Sequence, residues 1–490
     1  MTTAANVAPL VAIGACDRFL SQRPSVTFWK LRVQKHTAFA MEVVSQNIGQ
    51  ARFGSSSVTV SLMRTGDLLF NQYLSVKLPS LHVHRRLTKD GSGKVIGDDS
   101  GSFILSEAVC EDSSMTSVPQ ALGLAQDTDY PLAEAGQAYP QASWCDSVGF
   151  ALIRRASVLI GGQLIDQITS QFLAVWEELS GKPDKDLREM VGSAGTDVAK
   201  DLIENADKEQ QLYIPLCFWY ATHSGSALPL VSLQFHSLSL EFEFAPFKDL
   251  VRVWTPVAGS DPSGQAGVFT EAKGFTLNVG GSKSASGMGT QVQSSSFTMA
   301  LDAEVYSNYI YLDQQERDLF ATGRFLQLAA IHQSERFSIS QGSSSKSYPA
   351  TFNFPCKELI WCIQRDEAKN KNKHFNFTAK DGSDLVKKCS ISINGMSLVD
   401  REAKFYNLLM PYQHHTRLPG PGIYVYSFAL SPEAVQPSGS LNLSRIDNLT
   451  LSVEMVKGAL TDTSATGYVF ARSLNLIRYG DGLAGPMFGS

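Results

Sequence analysis

Two segments of the 490-residue chain alternate apolar with polar residues and interrupt the alternation at corresponding points. The segment "LPLVSLQFHSLSLEFEF" (228–244) is interrupted at 235–237, and "SGSLNLSRIDNLTLSVEM" (438–455) is interrupted at 444–447. Alternation with a period of two is typical of a β-strand that buries one face. A break in that phase is what a β-bulge or a bend between two sheets produces, because one extra residue exchanges the faces on which the side chains lie.

These two segments are parts of a longer internal repeat. Leu238 aligns with Leu449 at a separation of 211 residues (449 − 238), and the next three alternate positions keep this separation. The strands before them also match, since "LYIPLCF" (212–218) aligns with "GIYVYSF" (422–428) at a separation of 210 residues (422 − 212).

A third pair of segments contains a glycine turn. "SVLIGGQLID" (157–166) aligns with "SISINGMSLVD" (390–400) when Gly162 is placed against Gly395, at a separation of 233 residues (395 − 162). An insertion predicted at 184–210 absorbs the 23 residues by which this separation exceeds 210. Two β-rich segments can always be aligned somewhere, but three ordered segments with matched irregularities favour a duplication. The sequence therefore predicts two related units of roughly 220 residues each, folded as antiparallel β-sandwiches or jelly rolls in tandem.

Helical patterns are few. Apolar residues at helical spacing predict a helix over 164–181 that ends at a glycine. The segment 184–210 predicts one or two short polar helices. Another helix is predicted at 312–323, with Asp313 as its N-cap and Glu316 in the capping-box position.

Short alternating runs predict strands through the rest of the chain. They begin with 25–33, 57–63 and 72–78 and return at 149–162, where "IGGQ" has the composition of a hairpin turn. Between them, 80–147 is rich in Ser, Asp, Gly and Pro. A loop of that length inside a domain is usually a functional or surface insertion, so we expect this segment to project outward.

Charge and cysteine content exclude some classes of function. The net charge is −5, whereas wrapping nucleic acid requires a basic face, so no direct nucleic-acid partner is predicted. The seven cysteines are scattered and form no CxxC pair, which is typical of reduced, buried thiols. No apolar run approaches the roughly 18 residues of a membrane span, and the amino terminus lacks the features of a secretory signal. We therefore expect a soluble protein made in the cytoplasm.

Two histidine pairs are candidate metal ligands. His82 and His84 share a face of a predicted strand, but no acidic or cysteine partner is near and the adjacent arginines would repel a cation. His414 and His415 point to opposite faces in an extended chain, so we interpret both pairs as surface or loop-packing residues.

The remaining reactive residue types also lack a functional pattern. Cys356 and Cys362 do not have the spacing of a zinc knuckle, and the Gly-rich segments match neither a P-loop nor a dinucleotide fingerprint. The carboxylate pairs Asp98-Asp99 and Glu177-Glu178 are interpreted as solvated charges on a loop and a polar helix. The sequence predicts no catalytic residue, no cofactor and no metal ligand.

Several ordered blocks of the sequence resemble the major capsid proteins of nucleocytoplasmic large DNA viruses (giant viruses). They run from near residue 14 to near residue 488, and the block "QPSGSLNLSRID" is especially specific. The other blocks are "GACDRFLSQRPSVTFWKLRVQKHTAFAMEVV", "IGGQLIDQITSQFLAVWEEL", "LYIPLCFWYATHSGSALPLVSLQFHSLSLEFEF", "YIYLDQQERDLFA", "GPGIYVYSFALSPEAV" and "ARSLNLIRYGDGLAGPMF". The sequence departs locally from the family pattern in the Ser/Asp-rich insertion, in the 184–210 segment and at "QKHTAF".

The resemblance implies a fold of the double jelly-roll lineage. It is an all-β fold of two tandem eight-stranded antiparallel jelly rolls, with a few short helices and long surface loops. On this basis we expect an N-terminal arm at 1–24 and a first jelly roll at 25–247, with a surface insertion at about 80–147 and a helical insertion at about 184–210. The second jelly roll is expected at 248–490, with a C-terminal tail.

The resemblance also implies a structural function and no enzymatic activity. Three chains would form a homotrimer, which is a pseudo-hexameric capsomer of six jelly rolls that tiles the faces of a large icosahedral virion. The implied partners are other copies of the chain, neighbouring capsomers, minor capsid and penton proteins, and an internal virion membrane reached through minor proteins. The implied location is the virion capsid, with synthesis and assembly in the host cytoplasm.

Two alternatives remain open at this point. One is a glycan-cleaving hydrolase built on jelly rolls, which would require a carboxylate pair or triad in a cleft. The other is a minor capsid or carbohydrate-binding protein with the same barrels. A stable homotrimer with a hexagonal outline would favour the capsomer, and an active glycan-cleaving monomer would favour the hydrolase.

Overall fold

Among the residues that the structure describes, sixteen strands fall into two groups of eight that share one order of pairing. The computed structural model describes residues 35–79, 81–85, 87–89, 95–97, 103–107, 141–182, 184–195, 198–206, 208–256, 269–271, 277–279 and 300–489, and positions 14, 17–18 and 22–23. The chain divides into two units, residues 1–39 and residues 40–490. Apart from Phe39, the sheets described below belong to the second unit.

The first group of strands lies before residue 313. Its members are β1 (Phe39–Asn47), β2 (Val58–Ser61), β3 (Leu68–Leu78), β4 (Ile153–Ile160), β5 (Gln163–Thr169), β6 (Gln210–Pro215), β7 (Leu238–Phe244) and β8 (Asp302–Leu312). One sheet has the order β1-β8-β3-β6 and the other has the order β2-β7-β4-β5. In β7 the apolar side chains of Leu238, Leu240, Phe242 and Phe244 are all buried, as the alternation predicts.

The second group repeats this arrangement. Its members are β9 (Phe325–Ile339), β10 (Ser345–Ala350), β11 (Pro355–Arg365), β12 (Val386–Ile393), β13 (Met396–Glu402), β14 (Ile423–Ser427), β15 (Leu449–Met455) and β16 (Ala465–Gly480). One sheet has the order β9-β16-β11-β14 and the other has the order β10-β15-β12-β13.

Both groups have the strand order of a jelly roll. One sheet contains the first, eighth, third and sixth strands of the group, and the other contains the second, seventh, fourth and fifth. An antiparallel sandwich of two four-stranded sheets with this order is the jelly-roll arrangement. The predicted all-β fold of two tandem jelly rolls is confirmed.

Short elements connect the sixteen strands. The other described strands are Leu81–Arg85, Leu87–Lys89, Val95–Gly97, Phe103–Glu107, Gln141–Trp144, Leu228–Pro229, Val251–Pro256, Phe269–Glu271, Leu277–Val279, Leu441–Asn442 and Leu483–Pro486. The described α-helices are Val148–Leu152, Ser170–Ser180, Arg188–Val191, Val198–Ala206, Phe247–Leu250, Gln314–Thr322, Asp366–Asn370 and Met410–His414. The segments Trp219–Ala221, Ser224–Ser226, Leu230–Ser232 and Leu443–Arg445 are 3₁₀ turns, and Phe405–Leu409 is a π-helical turn.

The glycine turns of the repeat are equivalent hairpin turns. The turn between β4 and β5 has positive φ at Gly161 (59°) and Gly162 (81°), and the turn between β12 and β13 has positive φ at Asn394 (49°) and Gly395 (81°). Two-residue hairpin loops favour Gly and Asn because a type I′ turn requires positive φ at both central positions. Both hairpins also shift register within three residues of the turn. The hairpin predicted at "IGGQ" is confirmed.

The interrupted segments cross from one sheet to the other. In the first roll, Leu228–Pro229 pairs with β3, a 3₁₀ turn follows, and the chain enters β7 in the opposite sheet. In the second roll, Leu441–Asn442 pairs with β11 and the chain enters β15 after Leu443–Arg445. The break in alternation is therefore a corner between sheets, which is one of the two predicted causes.

The helix predictions are partly correct. The segment predicted as one helix over 164–181 is the strand β5 followed by the helix Ser170–Ser180, because the turn at Gly161 and Gly162 returns the chain antiparallel to β4. Likewise, 149–152 of the strand predicted at 149–162 lies in a helix. The 184–210 insertion contains two described helices as predicted, and Gln314–Thr322 begins after Asp313 as predicted, although the Asp313 side chain makes no capping hydrogen bond.

The strand β8 belongs to the first roll by its pairing. β8 pairs with β3, so a strand at 302–312 completes a sheet of the first roll although it follows residue 248.

Other predictions fall on residues that are not described. Most of the N-terminal arm at 1–24, the strand at 25–33 and most of the insertion at 80–147 lie outside the described residues. In the described part of the chain, Cys145, Cys217, Cys356, Cys362 and Cys389 are free thiols. None of the described helices is long and apolar enough to cross a membrane.

Candidate functional site

The two jelly rolls meet along a buried interface on the β9-β16-β11-β14 sheet. On its outer face, Ile331, Ile360 and Phe470 join the apolar cluster that fills the first roll. On its inner face, Trp361 and Val469 belong to a separate cluster inside the second roll. Because both faces of the sheet are covered, β11 and β16 are nearly continuous runs of buried residues, as is usual for a sheet buried on both sides.

The helix Ser170–Ser180 of the first roll packs on the outer face of this sheet. The ring of Phe172 lies 4.5 Å from the ring of His332 and 5.6 Å from that of Phe470, measured between centroids. Asp166, which is buried in β5, accepts a hydrogen bond of 2.8 Å from the backbone N–H of His332. The imidazole Nδ1 of His332 lies 3.0 Å from the Asp166 Oδ2 atom. This carboxylate therefore satisfies a backbone donor of β9, a strand at the edge of its sheet.

A buried ionic cluster lies beside this contact. Glu358 of β11 and Arg472 of β16 are cross-strand partners, and Arg472 Nη1 donates to Glu358 Oε1 at 2.6 Å. His415 is placed by the turn after the helix Met410–His414, with its Nε2 atom 2.9 Å from Glu358 Oε2 and its Nδ1 atom 3.0 Å from Glu433 Oε1. The side chains of Glu358, Arg472 and His415 are almost inaccessible to solvent. Buried charges are tolerated only when they are paired in this way.

A tryptophan of the first roll packs against this cluster. The Arg472 guanidinium lies over the indole ring of Trp176, 3.8 Å from the ring centroid, which is a cation–π arrangement. The imidazole of His415 meets the same indole edge-on, with 6.4 Å between centroids. Trp176 belongs to the first roll, and its contact joins the charges of the second roll to the helix of the first.

The environment of the cluster fixes its protonation. Burial by itself would raise the pKa of Glu358, but Arg472 and His415 lower it to about 2. Burial would lower the pKa of His415, but its contacts with Glu358 and Glu433 raise it to about 9. At neutral pH the cluster therefore contains two cations, Arg472 and His415, paired with two carboxylates.

Two further sets of hydrogen bonds connect the rolls. At the first-roll corner, the Phe235 N–H donates to the Gly482 carbonyl at 3.0 Å, and His236 Nδ1 lies 2.8 Å from the Ala484 carbonyl oxygen. Elsewhere, the Asn372 side-chain amide donates to the carbonyl oxygen of Val251 at 2.7 Å. The interface is thus held at several separated points, which fixes the orientation of one roll against the other.

The interface leaves little free space between the rolls. The cavity beside Arg472 and Trp219 has a volume of about 20 Å³, enough for about one water molecule. Substrate pockets are usually of about 300 Å³ or more. Among the described residues, no group of three or more His, Cys, Asp and Glu side chains is arranged to hold a metal ion.

The structure places the four histidines of the two candidate pairs in different environments. His415 is not a surface residue but a buried partner of Glu358 and Glu433, because the chain turns inward after the helix Met410–His414. His414 points the other way, with its Nδ1 atom 2.9 Å from the Leu430 carbonyl oxygen. His82 and His84 lie on the described strand Leu81–Arg85, and their side chains are outside the described residues.

The carboxylate pairs and the two cysteines named above differ in their burial. Glu178 accepts a hydrogen bond of 3.3 Å from the Gly420 N–H, and Glu177 is only partly exposed, with burial raising its pKa. The interpretation as solvated charge therefore holds for Glu178, which is exposed, and is wrong for Glu177, which is partly buried. Asp98 and Asp99 lie outside the described residues. Cys356 and Cys362 are buried free thiols on one strand, and burial raises the pKa of both.

Comparison with protein-family models assigns the chain to a family. Residues 27–93 and 128–313 match the family described as the major capsid protein N-terminus, and residues 316–485 match the large eukaryotic DNA virus major capsid protein. These matches span more than half of the chain. The protein belongs to the major capsid protein family of large eukaryotic DNA viruses.

Individual relatives are similar over their whole length. The chain is 26% identical to a major capsid protein of Phaeocystis pouchetii virus, over 98% of this chain and 99% of the relative. It is 28% identical to that of Pyramimonas orientalis virus, over 97% of each. These relatives are capsid proteins and not enzymes, so the protein is a structural component of a virion.

Solved structures share the fold at low sequence identity. The crystal structure of VP54 from PBCV-1 matches 95% of this chain and 100% of its own, with a TM-score of 0.64 and 20% identity. The Faustovirus major capsid protein matches 97% and 96% of the two chains, with a TM-score of 0.64 and 11% identity. The predicted resemblance to the double jelly-roll capsid proteins is confirmed.

Proposed function

We propose that three copies of this chain form a homotrimer, a pseudo-hexameric capsomer that tiles the faces of an icosahedral shell. The observation that carries this proposal is the pairing of two jelly rolls with one strand order in one chain, joined by a buried interface. Three chains would then present six similar barrels around a threefold axis. Such a trimer has nearly hexagonal symmetry, and hexagonal units pack side by side without gaps.

The buried interface supports this role because a tile must be rigid. The rolls are joined by apolar packing, by the Asp166–His332 contact and by the ionic cluster capped by Trp176. A flexible link between the rolls would allow the barrels of a trimer to leave the hexagonal arrangement. The proposed partners are other copies of the chain, neighbouring capsomers, minor capsid and penton proteins, and an internal membrane reached through minor proteins, with assembly in the host cytoplasm.

We also propose that the first roll ends near residue 312 and the second begins with β9. The pairing of β8 with β3 supports this boundary, and the two family matches meet at residues 313 and 316. The helix Gln314–Thr322 would then be the connection between the rolls.

The mass and outline of the purified protein test the proposal. For a chain of 53.4 kDa, native mass spectrometry should give a species of about 160 kDa, three times the chain mass. Electron micrographs of negatively stained particles should show hexagonal outlines. A chain that remains monomeric or forms a dimer at micromolar concentration would contradict the proposal.

A further inference from the structure

The small cavity between the two rolls is lined by charged and hydroxyl-bearing side chains. This is the cavity of about 20 Å³ described above. The aromatic and polar residues on its wall are Trp219, Thr222 and Ser226 of the first roll and Lys357, Glu433 and Arg472 of the second. A ligand in this cavity would therefore contact both rolls.

Lys357 is a buried cation that belongs to a β-bulge. Cys356 and Glu358 of β11 pair with β16, and the register shifts between them, so Lys357 is the extra residue of the bulge. A bulge re-aims the side chain of the residue that it inserts. Lys357 is only 2% exposed, and its Nζ atom donates to the Ala434 carbonyl oxygen at 2.9 Å. This is its one hydrogen bond in the described part of the chain, whereas an ammonium group has three N–H donors.

Arg472 also brings a donor to this cavity. Its Nη1 atom donates to Glu358 at 2.6 Å and lies 3.4 Å from the Pro432 carbonyl oxygen. Its Nε atom is buried and has no hydrogen-bond partner among the described residues. A buried donor without a partner carries the full cost of its desolvation, so an acceptor placed beside it stabilises the fold.

The buried charges of this region do not balance at neutral pH. Lys357 adds a third cation to Arg472 and His415, whereas the cluster contains two carboxylates, those of Glu358 and Glu433. Burial and the charge of Arg472 lower the pKa of Lys357 to about 8, so its ammonium form still predominates at neutral pH. An unpaired charge in a buried site is costly, and an ion of opposite sign removes that cost.

Neighbouring carboxylates are engaged by other residues. Glu433 Oε1 accepts a hydrogen bond of 3.0 Å from the Thr416 N–H and lies 3.0 Å from His415 Nδ1, and its Oε2 atom accepts from the Thr416 hydroxyl. Glu177, on the helix that carries Trp176, lies 3.9 Å from an Nη atom of Arg417. The missing negative charge therefore has to come from outside the chain.

We propose that this cavity binds a small monovalent anion such as chloride. The anion would accept hydrogen bonds from Lys357 Nζ and Arg472 Nε of the second roll and from the hydroxyl groups of Thr222 and Ser226 of the first. Its charge would balance the charge of Lys357. The volume of about 20 Å³ admits a monatomic ion and is too small for sulfate, phosphate or an organic anion. The site lies within one chain, so it does not depend on the homotrimer proposed above.

An anion in this position would couple the docking of the rolls to the halide concentration. A ligand that binds only the folded protein stabilises it in proportion to the logarithm of its concentration once the site fills. Because the wall of the cavity comes from both rolls, separation of the rolls would destroy the site. The anion therefore stabilises the docked arrangement rather than either roll alone.

Bromide provides a direct test, because it replaces chloride and scatters X-rays anomalously. Crystals of the full chain grown in sodium bromide should show an anomalous difference peak in the cavity, within hydrogen-bond distance of Lys357 Nζ and Arg472 Nε. A cavity that holds a water molecule without anomalous signal would overturn the proposal. Bromide found only at the protein surface, as an adventitious ion only, would also overturn it.

Thermal unfolding tests the site in solution. The Tm of the full chain should be higher in sodium chloride than in sodium gluconate of equal ionic strength, by about 2 °C or more, and the difference should saturate with chloride. Lys357→Met removes the buried cation and keeps an unbranched side chain, so this variant should fold and lose the chloride response. Lys387→Met is the matched control, since Lys387 is exposed and paired with Glu454, and it should keep the response.

Each outcome of the unfolding experiment decides the proposal. A wild-type protein that does not respond to chloride, or a Lys357→Met variant that responds as wild type does, would overturn the site. Lys357→Gln replaces Lys357→Met if circular dichroism shows that the latter is not folded. A monomeric chain that holds bromide in the cavity would overturn the homotrimer and leave the anion site intact.

Discussion

Both jelly rolls carry a buried polar pair between their third and eighth strands, but the pair is neutral in the first roll and ionic in the second. In the first roll, Gln72 faces Ser307 across the sheet, with Gln72 Nε2 donating to Ser307 Oγ at 2.9 Å, and the Tyr220 hydroxyl donates to Gln72 Oε1. In the second roll, Glu358 and Arg472 occupy the corresponding strands. All of these side chains are buried.

The two pairs also differ in which roll supplies the side chain that packs against them. Tyr220 belongs to the same roll as Gln72, so the neutral pair is completed within one barrel. Arg472 lies against Trp176 of the other roll, so the ionic pair is completed only when the two rolls are in contact. Buried ion pairs contribute little net stability compared with apolar packing, but they penalise any arrangement that leaves one charge unpaired. We infer that the charged pair fixes the docking of the rolls, while the neutral pair fixes the inside of one roll.

The largest expected effect comes from removing one charge of the ionic pair. Glu358→Ala leaves the buried Arg472 guanidinium without its main partner and should reduce the free energy of unfolding by about 3–5 kcal/mol. Chemical denaturation monitored by tryptophan fluorescence measures this change. Glu454→Ala is the control, since the Glu454–Lys387 pair is exposed and its loss should cost about 0–1 kcal/mol. Equal effects of the two substitutions would contradict the role of the buried pair.

The second effect is a dependence of stability on pH that His415 of the ionic cluster confers and the neutral pair does not. The pKa of His415 is raised from 6.5 to about 9, so its contribution is fully present below about pH 6.5 and is lost as the pH rises through 9. At about 1.4 kcal/mol for each pH unit, this contribution is about 3 kcal/mol. Unfolding free energies between pH 6 and pH 10 measure it, and His415→Gln should decline less over this range. A parallel decline of wild type and variant would assign the loss to other groups.

The third effect is the loss of the neutral pair. Gln72→Ala leaves Ser307 and the Tyr220 hydroxyl without this partner inside the first roll and should cost about 1–3 kcal/mol. The cost should be the same at pH 6 and pH 9, because no group of this pair titrates in that range. Thermal unfolding at both pH values measures it. A cost that changes with pH in step with that of Glu358→Ala would show that the two pairs are coupled.

The smallest effect is expected from the residue that joins the rolls over the cluster. Trp176→Phe keeps an aromatic ring but weakens the cation–π contact, and we expect a loss of about 0.5–1 kcal/mol. A double-mutant cycle with Arg472→Met separates this contact from the loss of apolar packing. A coupling free energy of zero would show that Trp176 contributes only apolar packing.

The repeat in the sequence predicted much of the fold. Alternation placed Leu238 and Leu449 at the start of equivalent buried strands, and Gly162 and Gly395 located equivalent hairpins, because backbone conformation and burial on one face impose local requirements. The helix prediction failed over 164–169 for a tertiary reason. Ile165 and Ile168 fit a helical spacing, but the preceding turn places both in a strand that pairs with β4, with Ile168 opposite Ala156 and Ile165 at the register shift, and pairing in a sheet overrides local preference.

The interface residues were harder to predict. Arg472 is a single charge inside the run "FARSLNL", and Glu358 follows Lys357 at the start of the run "ELIWCI"; a charge within or beside an apolar run is a signal for a buried ion pair. The sequence does not show which charges meet, because Glu358 and Arg472 are more than a hundred residues apart and His415 reaches them only through the turn after its helix. Trp176 fits the apolar face of its helix equally well without any cation above it.

The hydrogen bonds at 482–484 have a consequence for biosynthesis. During translation, the sixteen strands of the two rolls leave the ribosome before residues 482–484 do. The first roll can therefore close its own sheets while the second is still being translated. The corner at Phe235 and His236 gains its bonds to Gly482 and Ala484 only when the segment after β16 has left the exit tunnel. A nascent chain therefore leaves this corner unpaired until the segment after β16 has emerged, and in that interval a cellular chaperone would encounter the free N–H of Phe235 and the free imidazole of His236.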